Sequence, residues 1–371
     1  MATLWGSATL RRCVLMSFRR VAIIGAGAFG FALAVHLERA RAGQIQLRLY
    51  DLDEELMARL SRGEPHPRIE SGVCLPAQAM VCDQLQEAVA GTQVAILAVP
   101  GRAVAAAARQ LAALLAPQLP LVNVAKALER DSGRRISEVV AEARGEGAPY
   151  AALAGGMIAA ELASGQPLGA VVASVEAGLA AELAALLQGP GLRMEVSIDV
   201  AGLEYAAALK NVLVIGAGFL EGLGYPLGSC TRFLSLAAAE VEQLAVALGG
   251  TAASFAMSSQ CWGNDLVLSA FGTTRSRAFG VAVAEALRGA AGNGGASSST
   301  VAEGAGWRRG KIDEVRASFE ARLGTLEGFY TVQAVPQLQQ RASVPVPRLM
   351  TLTSLLAGEV GVAEATDRLL D

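Results

Sequence analysis

The first ordered pattern along the chain is a short, unbroken apolar run, Val21-Ala-Ile-Ile24, that stops at a glycine. Such a run without polar alternation predicts a strand buried on both faces, as in a parallel sheet. Ala28 to Arg39 follows with helical spacing. Ile45-Gln-Leu-Arg-Leu-Tyr50 then alternates and predicts a second strand. Val94–Val99 and Leu121–Val124 predict further strands, with an Ala/Leu helix over Ala103–Leu115 between them, and Ala151–Ala154 and Gly169–Ala173 continue the series. Strands alternating with helices predict βαβ units and a parallel sheet. The character changes near Asp199. From there to Leu248 the chain reads as long apolar helices with a break around Gly222–Gly228, and the remainder is mostly helical. A domain boundary is therefore expected at residue 198, with an α/β domain over 19–198 and a helical domain over 199–371.

The stretch Val200–Leu220 is long enough to span a membrane. It carries Glu204, Lys210 and Asn211, which are costly in lipid, and so predicts a buried helix of a soluble domain. A length of 371 residues fits about two domains. With 53% hydrophobic and 18% charged residues, intrinsic disorder is excluded. A net charge of −3 leaves no global basic field for nucleic acid or an anionic membrane, so an anionic partner needs a local basic site. Cys13, Cys74, Cys82, Cys230 and Cys261 are scattered and odd in number, which gives neither a disulfide framework nor a metal motif and points to a reducing compartment, the cytoplasm. Residues 1–18 hold Arg11 and Arg12, several Ser and Thr and no acid, the composition of a transit peptide for organellar import. Met16, however, opens a segment that runs straight into the first strand, and the extension reads as an overlong start. Gly289 to Thr300 is Gly/Ser-rich and predicts a flexible loop.

Two motifs carry chemistry. Gly25-Ala-Gly27-Ala-Phe-Gly30 follows the first strand and opens a helix. Gly25 permits the tight turn, Gly27 lets a pyrophosphate approach bare backbone, and Gly30 lets the helix pack on the sheet. The helix start offers free N–H groups and a positive dipole end to phosphates. The second strand ends at Asp51, about 20 residues further on, where a carboxylate accepts from ribose hydroxyls and repels a 2′-phosphate. The cofactor expected is NAD, with NADP also admitted; the competing reading of Asp51 is a solvated loop acid.

With only His36 and His66 in the chain, proton transfer falls to Lys, Asp or Tyr. Lys126 follows the strand Leu121–Val124, at the end where ligands sit in open α/β sheets; the competing reading is an exposed loop lysine. Lys210 interrupts Ala206-Ala-Ala-Leu-Lys-Asn-Val-Leu-Val-Ile215, which is apolar nearly all round. It is either a snorkelling lysine at a domain seam or a desolvated one whose lowered pKa lets it exchange protons near neutrality. Asp265 precedes another apolar run and is either part of this chemistry or a helix N-cap. Arg275 and Arg277 form a small basic cluster, either a solvated helix start or an anion clamp.

Taken in order, these segments resemble the NAD-dependent glycerol-3-phosphate dehydrogenase family over nearly the whole length. The resemblance is carried by Gly25–Gly30, Val99-Pro100, Ala125-Lys126-Ala-Leu-Glu129, Ala154-Gly-Gly-Met-Ile-Ala-Ala-Glu161, Gly202-Leu-Glu-Tyr-Ala-Ala-Ala-Leu-Lys-Asn-Val212, Gly222-Leu-Gly224, Asn264-Asp-Leu266, Arg275-Ser-Arg277 with Phe279-Gly280, and Leu326-Glu-Gly328. It implies a doubly wound Rossmann domain with a mostly parallel sheet, plus an all-α substrate and dimerisation domain, paired as a homodimer. It implies reversible reduction of dihydroxyacetone phosphate to sn-glycerol 3-phosphate, feeding phospholipid synthesis, without a metal. By this similarity Lys210 is the general acid/base, Lys126 lies at the cofactor–substrate junction, and Asp265 holds the lysine and substrate network. Asn211, Ser269 (where the family usually has threonine), Arg275 and Ser276 fall on the substrate side. Ala28, Phe29, Ala159, Arg275 and Glu327 fall where the family contacts the dinucleotide. Departures crowd the substrate side: Ala125-Lys126-Ala127 for Ser-Lys-Gly, Gly155-Gly156-Met157 for Gly-Pro-Ser/Thr, Ser276 for asparagine, Gly228 and Leu236 for an asparagine and an arginine, and Ser259-Gln-Cys-Trp-Gly263 for a Gly-rich approach to Asp265. Alternatives are another Lys-dependent hydroxyacid dehydrogenase, of ketopantoate reductase or 3-hydroxyacid type, and a non-catalytic NAD-binding sensor.

Overall fold

The computed structural model describes residues 18–70, 72–130, 132–289 and 304–371. The expectations for the N-terminal extension and the Gly/Ser-rich loop fall on residues outside these, apart from Phe18 and Gly289.

Eight strands form one sheet: β1 (Arg20–Ile24), β2 (Gln46–Tyr50), β3 (Met80–Val81), β4 (Val94–Leu97), β5 (Leu121–Asn123), β6 (Tyr150–Gly155), β7 (Leu168–Ala173) and β8 (Leu192–Ser197). Their order is β3-β2-β1-β4-β5-β6-β7-β8. Chain order reverses between β1 and β4, which pair in parallel with Ile24 opposite Leu97. Ligands bind in the crevice beyond the carboxyl ends of strands at such a reversal, and here that crevice begins at Gly25.

Two features depart from the run of parallel strands that the pattern predicts. β7 pairs antiparallel to β6. Only a six-residue helix, Ala159–Ser164, and a left-handed Gly165 join them, and this short connection turns the chain back beside its own strand. β8, unforeseen from the sequence, pairs parallel to β7 at the sheet edge and is largely exposed, so it lacks the apolar run of a buried strand.

Helix Val200–Gly222 begins where the sheet ends, its first turn capped by Asp199, whose carboxylate accepts from the Gly202 N–H at 2.8 Å. By length and apolarity it could cross a membrane, yet nearly all of it is buried in the protein. It packs against Leu128, Ala152, Ala154, Val171 and Ala173 of the sheet side and against the later helices in one continuous core. Glu204, buried on this helix, accepts from the Ser137 N–H at 2.9 Å, the Ser137 hydroxyl at 2.5 Å and the Tyr150 hydroxyl at 2.6 Å. A buried carboxylate needs such donors, and these three lock the long helix to the α/β half.

Candidate active site

The glycine turn is set by hydrogen bonds at the reversal point. The Gly25 N–H donates to Tyr50 O and the Ala98 N–H to Ile24 O, each at 2.7 Å. Gly25 has φ +110°, and a Cβ there would overlap the Ala98 carbonyl. A Cβ at Gly30 would overlap the Gly25 carbonyl oxygen. At Gly27 a Cβ would meet nothing within 4 Å, so the backbone is bare and faces open space. Ala28 and Phe29, half-buried, form the first turn of helix Ala28–Arg41.

Asp51 is neither a solvated loop acid nor free for a ribose alone. One carboxylate oxygen accepts from the Ala26 N–H at 2.6 Å and the other from the Asp53 N–H at 3.1 Å. Each oxygen keeps a second lone pair. His66 holds the turn from another side. Its Nε2 donates to Ala26 O at 3.1 Å, and its Nδ1 accepts from the Arg68 N–H at 3.1 Å. That pairing requires the neutral ring, in keeping with burial, which lowers its pKa. No sequence signal links His66 to a turn 40 residues away.

Three ionisable side chains from three elements meet at the lysine site. Lys126 follows β5, Lys210 lies inside helix Val200–Gly222, and Asp265 opens helix Asp265–Phe271 directly after a π-helical turn, Gln260–Asn264. The two oxygens of Asp265 divide between the lysines. Oδ2 accepts from Lys126 Nζ at 2.7 Å and Oδ1 from Lys210 Nζ at 2.8 Å. Lys126 also donates to Gly155 O at 2.7 Å, and Lys210 to Ser269 Oγ at 2.6 Å. An ammonium has three N–H groups. Each lysine has used two, so one N–H remains on each for a ligand.

Asp265 is thus not an N-cap; its carboxylate is spent on lysines instead of backbone N–H groups. Lys210 does not snorkel either, being 5% exposed. Burial lowers its pKa to about 8; Asp265 pulls it up, and the like charge of Lys126 pushes it down again. Burial drives the Asp265 carboxyl upward, but the two ammonium groups outweigh it and hold it below the usual range.

The remaining predicted residues lie on other elements. Asn211 is half-buried and donates to Ala207 O at 3.4 Å, a long bond that leaves its amide lightly held. Ser276 is half-buried in the first turn of helix Arg275–Gly289, and Ala159 opens helix Ala159–Ser164. Glu327, which opens helix Glu327–Thr331, accepts from the Gly101 N–H at 3.0 Å and so joins the helical half to the turn after β4. Arg275 and Arg277 do not cluster: Arg275 Nη1 donates to Leu323 O at 2.9 Å, whereas Arg277 pairs with Glu221 at 2.5 Å. Two departures are linked by packing. A Cβ at Gly101 would overlap the Ala127 methyl, so the bare Gly101 makes room for it. Likewise Gly156 leaves the space that the Asn264 amide fills.

Residues 20–180 match the family model described as the NAD-dependent glycerol-3-phosphate dehydrogenase N-terminus, and residues 199–367 match its C-terminus. The chain is 31% identical to the glycerol-3-phosphate dehydrogenase [NAD(P)+] of Chelativorans sp. (strain BNC1), covering 94% of this chain and 96% of that one. It is 31% identical to the enzyme of the same name from Agrobacterium fabrum, covering 96% and 98%. Among solved structures, the fold is similar to glycerol-3-phosphate dehydrogenase from Coxiella burnetii, with a TM-score of 0.80, 23% identity and coverage of 95% and 99%. A ketopantoate reductase from Ralstonia eutropha, of the class weighed as an alternative, matches at a TM-score of 0.55 with 18% identity, covering 95% and 100%.

Proposed function

Since the chain belongs to the NAD-dependent glycerol-3-phosphate dehydrogenase family, we propose that it interconverts dihydroxyacetone phosphate and sn-glycerol 3-phosphate with Lys210 as the proton donor and acceptor. The observation that carries this reading is the buried Lys210 ammonium, fixed at 2.8 Å from Asp265 and 2.6 Å from Ser269 with one N–H unspent. The bare Gly27 backbone at the start of a helix fits a dinucleotide pyrophosphate. A bound dinucleotide supplies or takes up the hydride at the substrate carbon.

The chain's own part is acid–base work. In reduction, Lys210 Nζ gives a proton to the oxygen that becomes the hydroxyl, and in oxidation the neutral amine takes it back. With a pKa of about 8, both forms are accessible near neutrality. Lys126 directs its third N–H at the same oxygen and stabilises developing negative charge. Asp265 keeps both ammonium groups in place, and Ser269 fixes the rotamer of Lys210. Arg275 lies ready to hold the substrate phosphate, and Asn211 and Ser276 complete the polar surround. On the cofactor side stand Gly25–Gly30, Asp51, Ala159 and Glu327. Asp51 favours NAD, and beside it Leu52 is 80% exposed and offers a 2′-phosphate no charge.

Residues 19–198 act as the cofactor domain and 199–371 as the substrate and dimerisation domain of a cytoplasmic homodimer. The test is Lys210→Ala. Its kcat/KM for dihydroxyacetone phosphate is expected to fall by about 10²–10⁴-fold, the range of general acid catalysis, while NADH fluorescence titration gives an unchanged dissociation constant. Wild-type protein that binds NADH and turns over no dihydroxyacetone phosphate would leave only a nucleotide holder.

A further inference from the structure

Arg68 lies in the segment between helix Glu54–Ser61 and β3, two residues past His66. His66 ties that segment to Ala26 of the glycine turn, and the Arg68 backbone N–H completes the same contact. The Arg68 side chain therefore starts from a rigid anchor beside the phosphate-binding backbone. It ends next to a side chain from the other half of the chain. A Cβ placed on Gly324 would lie 3.5 Å from Arg68 Nη1 and 3.8 Å from Arg275 Nη1. Two guanidinium ions thus flank one bare backbone position.

Their partners are unequal to their charge. Arg275 spends Nη1 on the Leu323 and Thr325 carbonyls, at 2.9 and 3.3 Å. Neither arginine has a carboxylate within ion-pair distance among the described residues, and the Arg68 guanidinium has no hydrogen-bond acceptor there. The carboxylate that faces Arg275 is Glu327, and it faces Arg102 and Arg130 as well. Three arginines therefore share one carboxylate at this seam, and Arg68 adds a fourth positive charge beside Arg275. Like charges held this close repel, and an anion between them turns the repulsion into attraction. Arginine presents a planar fork of donors that matches the oxygens of a phosphoryl group.

We propose that Arg68 and Arg275 close from opposite halves of the molecule on a single phosphoryl oxyanion. Arg68 reaches it from the glycine-turn side and Arg275 from the helical side, so the bound anion draws the two halves together. This rests on the dehydrogenase reading, which offers two sources of that chemistry: the dinucleotide pyrophosphate and the substrate phosphate. A role for Arg68 in either is set by geometry alone, because the residue lies far in sequence from every motif that marks the site.

The experiment compares wild-type full-length protein with Arg68→Ala and Arg68→Lys. It reads the NADH dissociation constant without substrate, the KM for dihydroxyacetone phosphate, and the melting temperature. Loss of one charge-assisted hydrogen bond predicts about a tenfold rise in one of the two constants for Arg68→Ala, with partial recovery in Arg68→Lys and an unchanged melting temperature. If the pyrophosphate is the anion, the NADH constant rises, and inorganic pyrophosphate competes with NADH more weakly in Arg68→Ala than in wild type. If the substrate phosphate is the anion, the KM rises, and kcat/KM for unphosphorylated dihydroxyacetone stays the same. Either result supports the clamp. Both constants unchanged in Arg68→Ala, or alanine and lysine variants equally impaired, would overturn it. Failure of the dehydrogenase reading shows separately, as wild-type protein with no turnover, and leaves the NADH and pyrophosphate arms readable.

Discussion

Replacing Asp265 by asparagine removes one negative charge and keeps the shape of the side chain. In the native site that charge lies 2.7 Å from Lys126 Nζ and 2.8 Å from Lys210 Nζ. A unit-charge attraction across about 4 Å is worth about 4 kcal/mol at an effective dielectric constant of about 20. Half of that corresponds to about 1.5 pKa units, at about 1.4 kcal/mol per unit. Lys210, now at about 8, would fall by about that much in the variant, with burial and Lys126 both still pushing it down. Near neutrality the ammonium would then give way to the free amine. Reduction needs the protonated form. Its kcat/KM should therefore fall off with rising pH about 1.5 units earlier in Asp265→Asn than in wild type. Oxidation needs the free amine, so its rising limb should move to lower pH by the same amount. The assay is NADH absorbance in both directions across a pH series, with circular dichroism to confirm the fold. An activity loss in which neither inflection moves would refute the electrostatic role given to Asp265 and leave it a spacer.

Further perturbations separate the cofactor side from the lysine site. Gly27→Ala is expected to fold normally, because the new methyl meets no protein atom within 4 Å, yet to weaken NADH binding by about tenfold or more where backbone must approach the pyrophosphate; calorimetric titration beside thermal melting checks both halves. Gly30→Ala should instead lower the melting temperature sharply, since its methyl would overlap the Gly25 carbonyl oxygen. Leu52→Arg should raise the kcat/KM ratio of NADPH to NADH by supplying a cation where a 2′-phosphate would lie, and an unchanged ratio would place the adenosine ribose elsewhere.

The α/β-then-helical order, the glycine turn and the two lysines were legible in the sequence because each is a local signal. A strand–glycine–helix run, an apolar helix interrupted by Lys210, and a lysine at a strand end are patterns within about ten residues. Period and burial follow from such patterns without knowledge of the partner. The partners themselves were not legible. Asp265 could be read equally as an N-cap, and only packing shows its two oxygens divided between Lys126 and Lys210. Asp51 offered a ribose acceptor or a loop acid, and the fold adds a tie to Ala26. His66 and Arg68 stand beside the turn through a connection with no motif in it, and Arg277, adjacent in sequence to the Arg275 site, turns away to Glu221. The antiparallel β7 likewise depended on how a short connection packs, a matter of chain reversal in space. Residue type and spacing fix which groups are able to carry charge or bend backbone. Which charges neutralise one another, and so where a lysine pKa settles, is decided by distances of a few ångströms between segments far apart in the chain, and those exist only once the core has closed around helix Val200–Gly222.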